Sequence, residues 1–246
     1  MGDAPWEVGY ADLHAKTFGG PSAEIIALAD QMPHGGTVLD MGCGEGRNAL
    51  FLARKGFTVT AVDILESAIN KLSTLADWEG LGIQAEVADM CQYSLSGPYD
   101  VIISHGCLHL VERVRWQELV DKLKAHTVPG GINIVVVFTD TLPPPADLAD
   151  HCLGLFKEGE LFSLYLDWNI ELQKSYTFED KHPGSPRHTH SVNKVVARKP
   201  PNPALSLTWC CRAGFAVESV SCCPSPPSAR RPKRAGTRPP PRGSCR

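Results

Sequence analysis

The chain has 246 residues, 43% hydrophobic and 21% charged, with a formal net charge of −3. That is long enough to bury a sizeable core, and the composition is ordinary for a globular chain rather than a disordered or fibrous one. No apolar run reaches the roughly 20 residues that a membrane span needs, so no membrane role is expected.

In chain order, residues 1–20 hold few apolar side chains and read as an N-terminal arm. Its acids and lack of an apolar segment point away from a secretory signal. Ser22 is a fitting N-cap for a helix running to Gln31, ended by Pro33-His-Gly-Gly36. Thr37–Met41 reads as a strand, Gly42–Gly46 as a turn, and Arg47–Lys55 as a helix closed by Gly56. The rhythm repeats with a strand over Phe57–Asp63, a helix from Leu65 to about Leu75, and a strand over Ile83–Ala88 that ends at Asp89. Tyr99–Ser104 is a fourth strand, nearly continuous in apolar residues, as suits a sheet covered on both faces. A helix from Val114 to about His126, a Pro129-Gly-Gly131 turn and the strand Ile132–Phe138 follow.

Alternating strands and helices imply an α/β fold with a doubly wound, mostly parallel sheet. After Thr139 the rhythm changes. Leu142-Pro-Pro-Pro145 is a loop and Glu158 to about Asp167 is predicted helical. Glu171–Phe178 and Val192–Arg198 are strands flanking a loop over 181–191, which implies a C-terminal antiparallel hairpin and seven strands in all. Residues 21–199 thus form one domain. Residues 200–246 carry eight basic residues against one acid and ten of the twenty prolines. This tail is expected to be disordered. It reads as an appendage, not as a nucleic-acid-binding surface.

Cys43, Cys91, Cys107 and Cys152 are scattered singly, as reduced thiols of a cytoplasmic protein would be. Cys210-Cys211 and Cys222-Cys223 lack the usual spacing of zinc ligands, so no metal is expected.

The chemistry concentrates at Asp40, Gly42, Gly44 and Gly46, an Asp-x-Gly-x-Gly-x-Gly pattern between a strand's carboxyl end and the next helix. That is where nucleotide-type ligands bind in such sheets, with glycines letting the backbone approach. The dinucleotide pattern G-x-G-x-x-G fails, because its last position falls on Arg47 or Ala49. S-adenosylmethionine, which has no pyrophosphate, fits better. Asp40 is placed for its ammonium end. Asp63, at the end of the second strand, is placed for the ribose hydroxyls, and Asp89, at the end of the third, for the adenine amino group. Ile64 and Met90 would cover the adenine faces. Each acid alone could be a cap or turn former; three at consecutive strand ends are hard to explain that way.

Residues 37–48 resemble the first motif of class I S-adenosylmethionine-dependent methyltransferases. Thr127-Val-Pro-Gly-Gly131 with Ile132–Val137 resembles a junction common to that class. Gly46-Arg-Asn48, Phe156-Lys-Glu-Gly-Glu-Leu161 with Tyr165 and Trp168, and Val196-Ala-Arg-Lys199 resemble the tellurite-resistance methyltransferase family. The likeness spans residues 15–199 and implies a Rossmann-like methyltransferase domain over 21–199. It also implies Gly42, Cys43, Gly44, Arg47, Asn48 and His105 as cofactor-binding positions beside the acids.

The acceptor implied is a small molecule, a thiol or a selenium or tellurium oxyanion, and the chain would act as a monomer or homodimer. The family's His and Arg before the final strand map to Arg187, His188 and His190, and Lys194 stands where some members have Arg. His188 and His190 are candidate bases and Arg187 a candidate anion fork. His105, at the end of the fourth strand, borders the transfer site, whereas His109 reads as a helix-side residue. A catalytically silent cofactor-binding regulator or scaffold is the alternative.

Overall fold

A computed structural model describes residues 6–32, 34–146, 148–181 and 187–201. The tail from residue 202, with its cysteine pairs and expected disorder, lies outside the described residues, as do Pro33 and the 182–186 part of the expected loop.

Seven strands form one sheet in the order β3-β2-β1-β4-β5-β7-β6. They are β1 (Thr37–Met41), β2 (Thr58–Asp63), β3 (Ile83–Val87), β4 (Tyr99–His105), β5 (Thr127–Phe138), β6 (Asn169–Asp180) and β7 (His188–Arg198). The first five run parallel, and β7 is antiparallel to both β5 and β6. The expected mostly parallel sheet with an antiparallel hairpin is therefore present. Strand order reverses between β1 and β4, which opens a crevice above their carboxyl ends.

The helices are α1 (Glu7–Tyr10), α2 (Ala23–Gln31), α3 (Arg47–Arg54), α4 (Glu66–Glu79), α5 (Trp116–Ala125) and α6 (Glu160–Ser163). Side chains alternate across a strand, so β4 serves two cores. Val101 and Ile103 pack with Val38 and helix residues Leu52 and Leu72, while Ile102 packs with Leu39, Met41 and Leu123. A third cluster joins Trp116, Phe156, Tyr165 and Trp168 to Val135 and Val195. No helix among the described residues is long and apolar enough to cross a membrane.

Three expectations are corrected, and the arm gains a structure of its own: α1 lies within it, and Tyr10 and Thr17 are buried. Lys71 Nζ donates to the carbonyls of Gly9 and Ala15, both at 2.8 Å, and pairs with Glu45 at 2.6 Å. Pro129-Gly-Gly131 is not a separate turn but part of β5, because Lys199, just past the end of β7, exchanges hydrogen bonds with Gly130 and Gly131. Only Glu160–Ser163 of the expected 158–167 helix is regular. Lastly, β7 begins at His188, so His188 and His190 are strand residues paired with Asp180 and Phe178, not members of a loop.

Candidate functional site

A cavity of about 1060 Å³ opens above the carboxyl ends of β1, β2 and β4, beneath the arm. Its floor is the glycine turn. Gly42 and Cys43 donate to the Val62 carbonyl at 2.8 and 3.0 Å, which pins the turn to β2. Gly42 and Gly44 have φ of +71° and +53°. A Cβ on Gly42 would stand 2.5 Å from that of Cys107, and one on Gly44 2.8 Å from the Tyr10 hydroxyl. Only glycine keeps the backbone here accessible to a ligand.

The three acids converge on this floor. Asp40 is buried, and among the described residues its Oδ2 has no hydrogen-bond partner. Burial pushes its pKa up to about 7, although the Arg47 charge opposes this. An unsatisfied carboxylate at the bottom of a cleft suits a cationic ligand group. Asp63 accepts from Gly44 N–H at 2.8 Å and Leu65 N–H at 3.0 Å, so it shapes the turn it faces. Burial raises its pKa against the pull of those amides. Asp89 accepts from Cys91 N–H at 2.8 Å. Ile64 is 64% exposed, a large apolar side chain left uncovered beside Asp63, and Met90, just after Asp89, lines the same cavity. This donor and acceptor set, the glycine cradle and the unpartnered Asp40 oxygen fit S-adenosylmethionine.

Arg47 and Asn48 line the cavity, but their side chains fasten its lid. Arg47 donates to the carbonyls of Phe18 and Gly20, both at 3.1 Å, and Asn48 accepts from Ser22 N–H at 3.1 Å. Cys43 and Cys107 are buried thiols whose pKa burial raises, Cys107 to about 12. They are packing groups, not nucleophiles.

At the far end of the cavity stands His105. Arg47 lies 3.1 Å from its Nδ1, while Ser22 Oγ and Glu24 Oε1 lie 2.9 and 3.3 Å from its Nε2. A guanidinium can only donate, so Nδ1 accepts and Nε2–H points to Ser22 and Glu24. Burial lowers the His105 pKa, and the Arg47 charge adds to this. Glu24 also pairs with Lys194 at 2.6 Å. Burial opposes its ionisation, but His105 and Lys194 outweigh that and hold it down to about 2. Tyr176, Phe178 and Asp180 from β6 and Phe138 from β5 complete this end.

The remaining expected catalytic residues lie aside. Arg187 is exposed and pairs with Glu179 at 2.7 Å, and neither it, His188 nor His190 lines the cavity. His190 is buried, its ring 4.1 Å from that of Phe138. His109 is equally buried, stacks on the other side of the same cluster at 4.0 Å from Phe138, and has its pKa pushed down to about 3 by burial. Tyr10 and Asp180, which line the cavity, and Glu24, which holds His105 and Lys194, were not among the residues expected at the site. The aromatic residues of an otherwise polar arm were the available signal for the first; nothing local marked the others.

The family model described as "Tellurite resistance protein TehB" matches residues 20–195. A probable S-adenosyl-L-methionine-dependent methyltransferase TehB of Haemophilus influenzae is 35% identical over 135 residues, covering 54% of this chain and 46% of that protein. The 2-heptyl-1-hydroxyquinolin-4(1H)-one methyltransferase of Mycobacteroides abscessus is 30% identical over 172 residues, 68% of this chain and 69% of that protein. The crystal structure of TehB from Haemophilus influenzae superposes with a TM-score of 0.65 at 27% identity, over 72% of this chain and 62% of that one. The chain spans less than half the length of the first curated relatives it matches.

Proposed function

The chain belongs to the TehB tellurite-resistance family, and from that premise we propose that it transfers the methyl group of S-adenosylmethionine to a small-molecule nucleophile. The observation that carries this reading is the convergence of Asp40, Asp63 and Asp89, from three successive strand ends, on one cavity floored by the glycine turn.

The cofactor supplies an activated methyl on a sulfonium. The protein's task is then alignment, where proximity contributes about 7–11 kcal/mol. Asp40 holds the ammonium end, Asp63 the ribose diol and Asp89 the adenine edge, with Ile64 and Met90 on the adenine faces. With the cofactor held there, its methyl would be offered to the cavity that His105 lines. Tyr10 and the arm, which line the same cavity, would shield it from water. His105 has its lone pair engaged by Arg47, so it acts there as a neutral positioning group and not as the base. The acceptor, a thiol or a selenium or tellurium oxyanion, enters between the aromatic wall and Lys194.

Incubation with methyl-labelled cofactor and a panel of thiols, selenite and tellurite tests the proposal. A methylated product from one of them is expected. Tight cofactor binding with no product from any would instead support a catalytically silent regulator, a reading favoured by the absence of an unengaged base at His105.

A further inference from the structure

The β6–β7 hairpin carries a cluster to which the proposed hold on the cofactor assigns no role. Side chains alternate along each strand, and the register sets Asp180 opposite His188 and Phe178 opposite His190. Asp180, His188 and His190 therefore share one face of the hairpin, the face that also presents Tyr176 and Lys194 to the cavity. One ligand atom from each of the three lies within 4.8 Å of the others. The two imidazole rings meet edge to face with centroids 4.7 Å apart.

The arrangement is held in place. His190 is wedged between Phe138, at 4.1 Å, and Phe178, at 5.4 Å, and Phe138 is backed by His109 at 4.0 Å. Such packing fixes the ring, as metal ligands require. His188 and Asp180 are half-buried, so each keeps part of its side chain within reach of solvent.

We propose that Asp180, His188 and His190 bind a divalent transition metal of the zinc class. Two imidazoles and one carboxylate suit zinc, cobalt or nickel, whereas magnesium and calcium favour all-oxygen sets. Three protein donors leave a coordination position open, as catalytic rather than structural zinc sites do. Asp180 also lines the cavity, so an ion held here would border the end assigned to the acceptor, where it could hold an anionic or thiolate acceptor. That last use rests on the methyl-transfer reading; the binding of the ion does not.

Cobalt(II) titration of the metal-stripped full-length protein, read by visible absorption, tests the site. One equivalent should develop the ligand-field bands of a nitrogen- and oxygen-ligated ion. Asp180→Asn and His188→Gln should each abolish those bands while leaving S-adenosylmethionine affinity, and hence the fold, intact. Bands that survive both substitutions would overturn the proposal. So would a spectrum showing only sulfur-to-cobalt charge transfer, which would assign the metal to cysteines. Absence of any bands in a chain that binds the cofactor would also overturn it. Failure to bind the cofactor alongside normal cobalt bands would instead count against the methyl-transfer reading and leave the metal site standing.

Discussion

Asp40 sits at the bottom of the cleft with one carboxylate oxygen unpartnered and a pKa pushed up to about 7 by burial. The cofactor's ammonium should favour the ionised form, so binding releases a proton below that pH. Affinity is expected to rise roughly tenfold from pH 5.5 to 7, and Asp40→Asn should flatten the slope; calorimetry across that range checks it, and a flat wild-type profile would contradict it. Asp63→Ala removes both the carboxylate proposed to hold the ribose and the acceptor for Gly44 N–H, and should weaken cofactor binding by about ten- to a hundredfold. His109 belongs to stability instead. Its ring is buried neutral with a pKa down to about 3, from an ordinary 6.5. The folded state thus binds fewer protons, and stability that is complete above pH 6.5 falls as pH drops toward 3. By pH 4 that amounts to about 3 kcal/mol. His109→Phe should make urea-unfolding stability less steep between pH 6.5 and 4; an unchanged slope would refute this.

Elements differ in how far their sequence betrays them. The periodic strands β1, β2 and β4 and the turn between β1 and α3 are legible because local spacing dictates both their form and their ligand. The arm is not, since its order comes from Lys71 on α4, an ion pair and two carbonyl contacts across 56 to 62 residues. The start of β7 was likewise hidden: polar His188 to Ser191 look like a loop until β6 pairs with them. His105 is legible as a cavity residue because it ends β4, but its partner Glu24 sits on α2, where nothing in the local pattern marks it. Lys71→Met tests the arm. It leaves Glu45 buried without its cation, which costs about 3–5 kcal/mol, and should release the amides of residues 6–20 to hydrogen exchange. Protection that persists would show that the arm is held by other contacts.

At the scale of the molecule, the sheet reversal between β1 and β4 supplies one end of the cleft and the antiparallel β6–β7 hairpin the other. The cofactor end is built from the parallel half, whose residues the glycine motif announces. The end proposed for the acceptor draws on α2, β4, β5, β6 and β7, and so is set by tertiary pairing. Every described residue at the cavity lies between Trp6 and Lys194, and the family model matches residues 20–195, so a chain ending at Pro201 should bind the cofactor as the full chain does. The central claim is that this cleft is an S-adenosylmethionine site. Calorimetric titration of the full chain with S-adenosylmethionine and, separately, with NAD tests it most directly. The expected result is one S-adenosylmethionine bound per chain, no NAD, and marked weakening by Asp63→Ala. Binding of NAD without S-adenosylmethionine, or an affinity indifferent to Asp63, would contradict it.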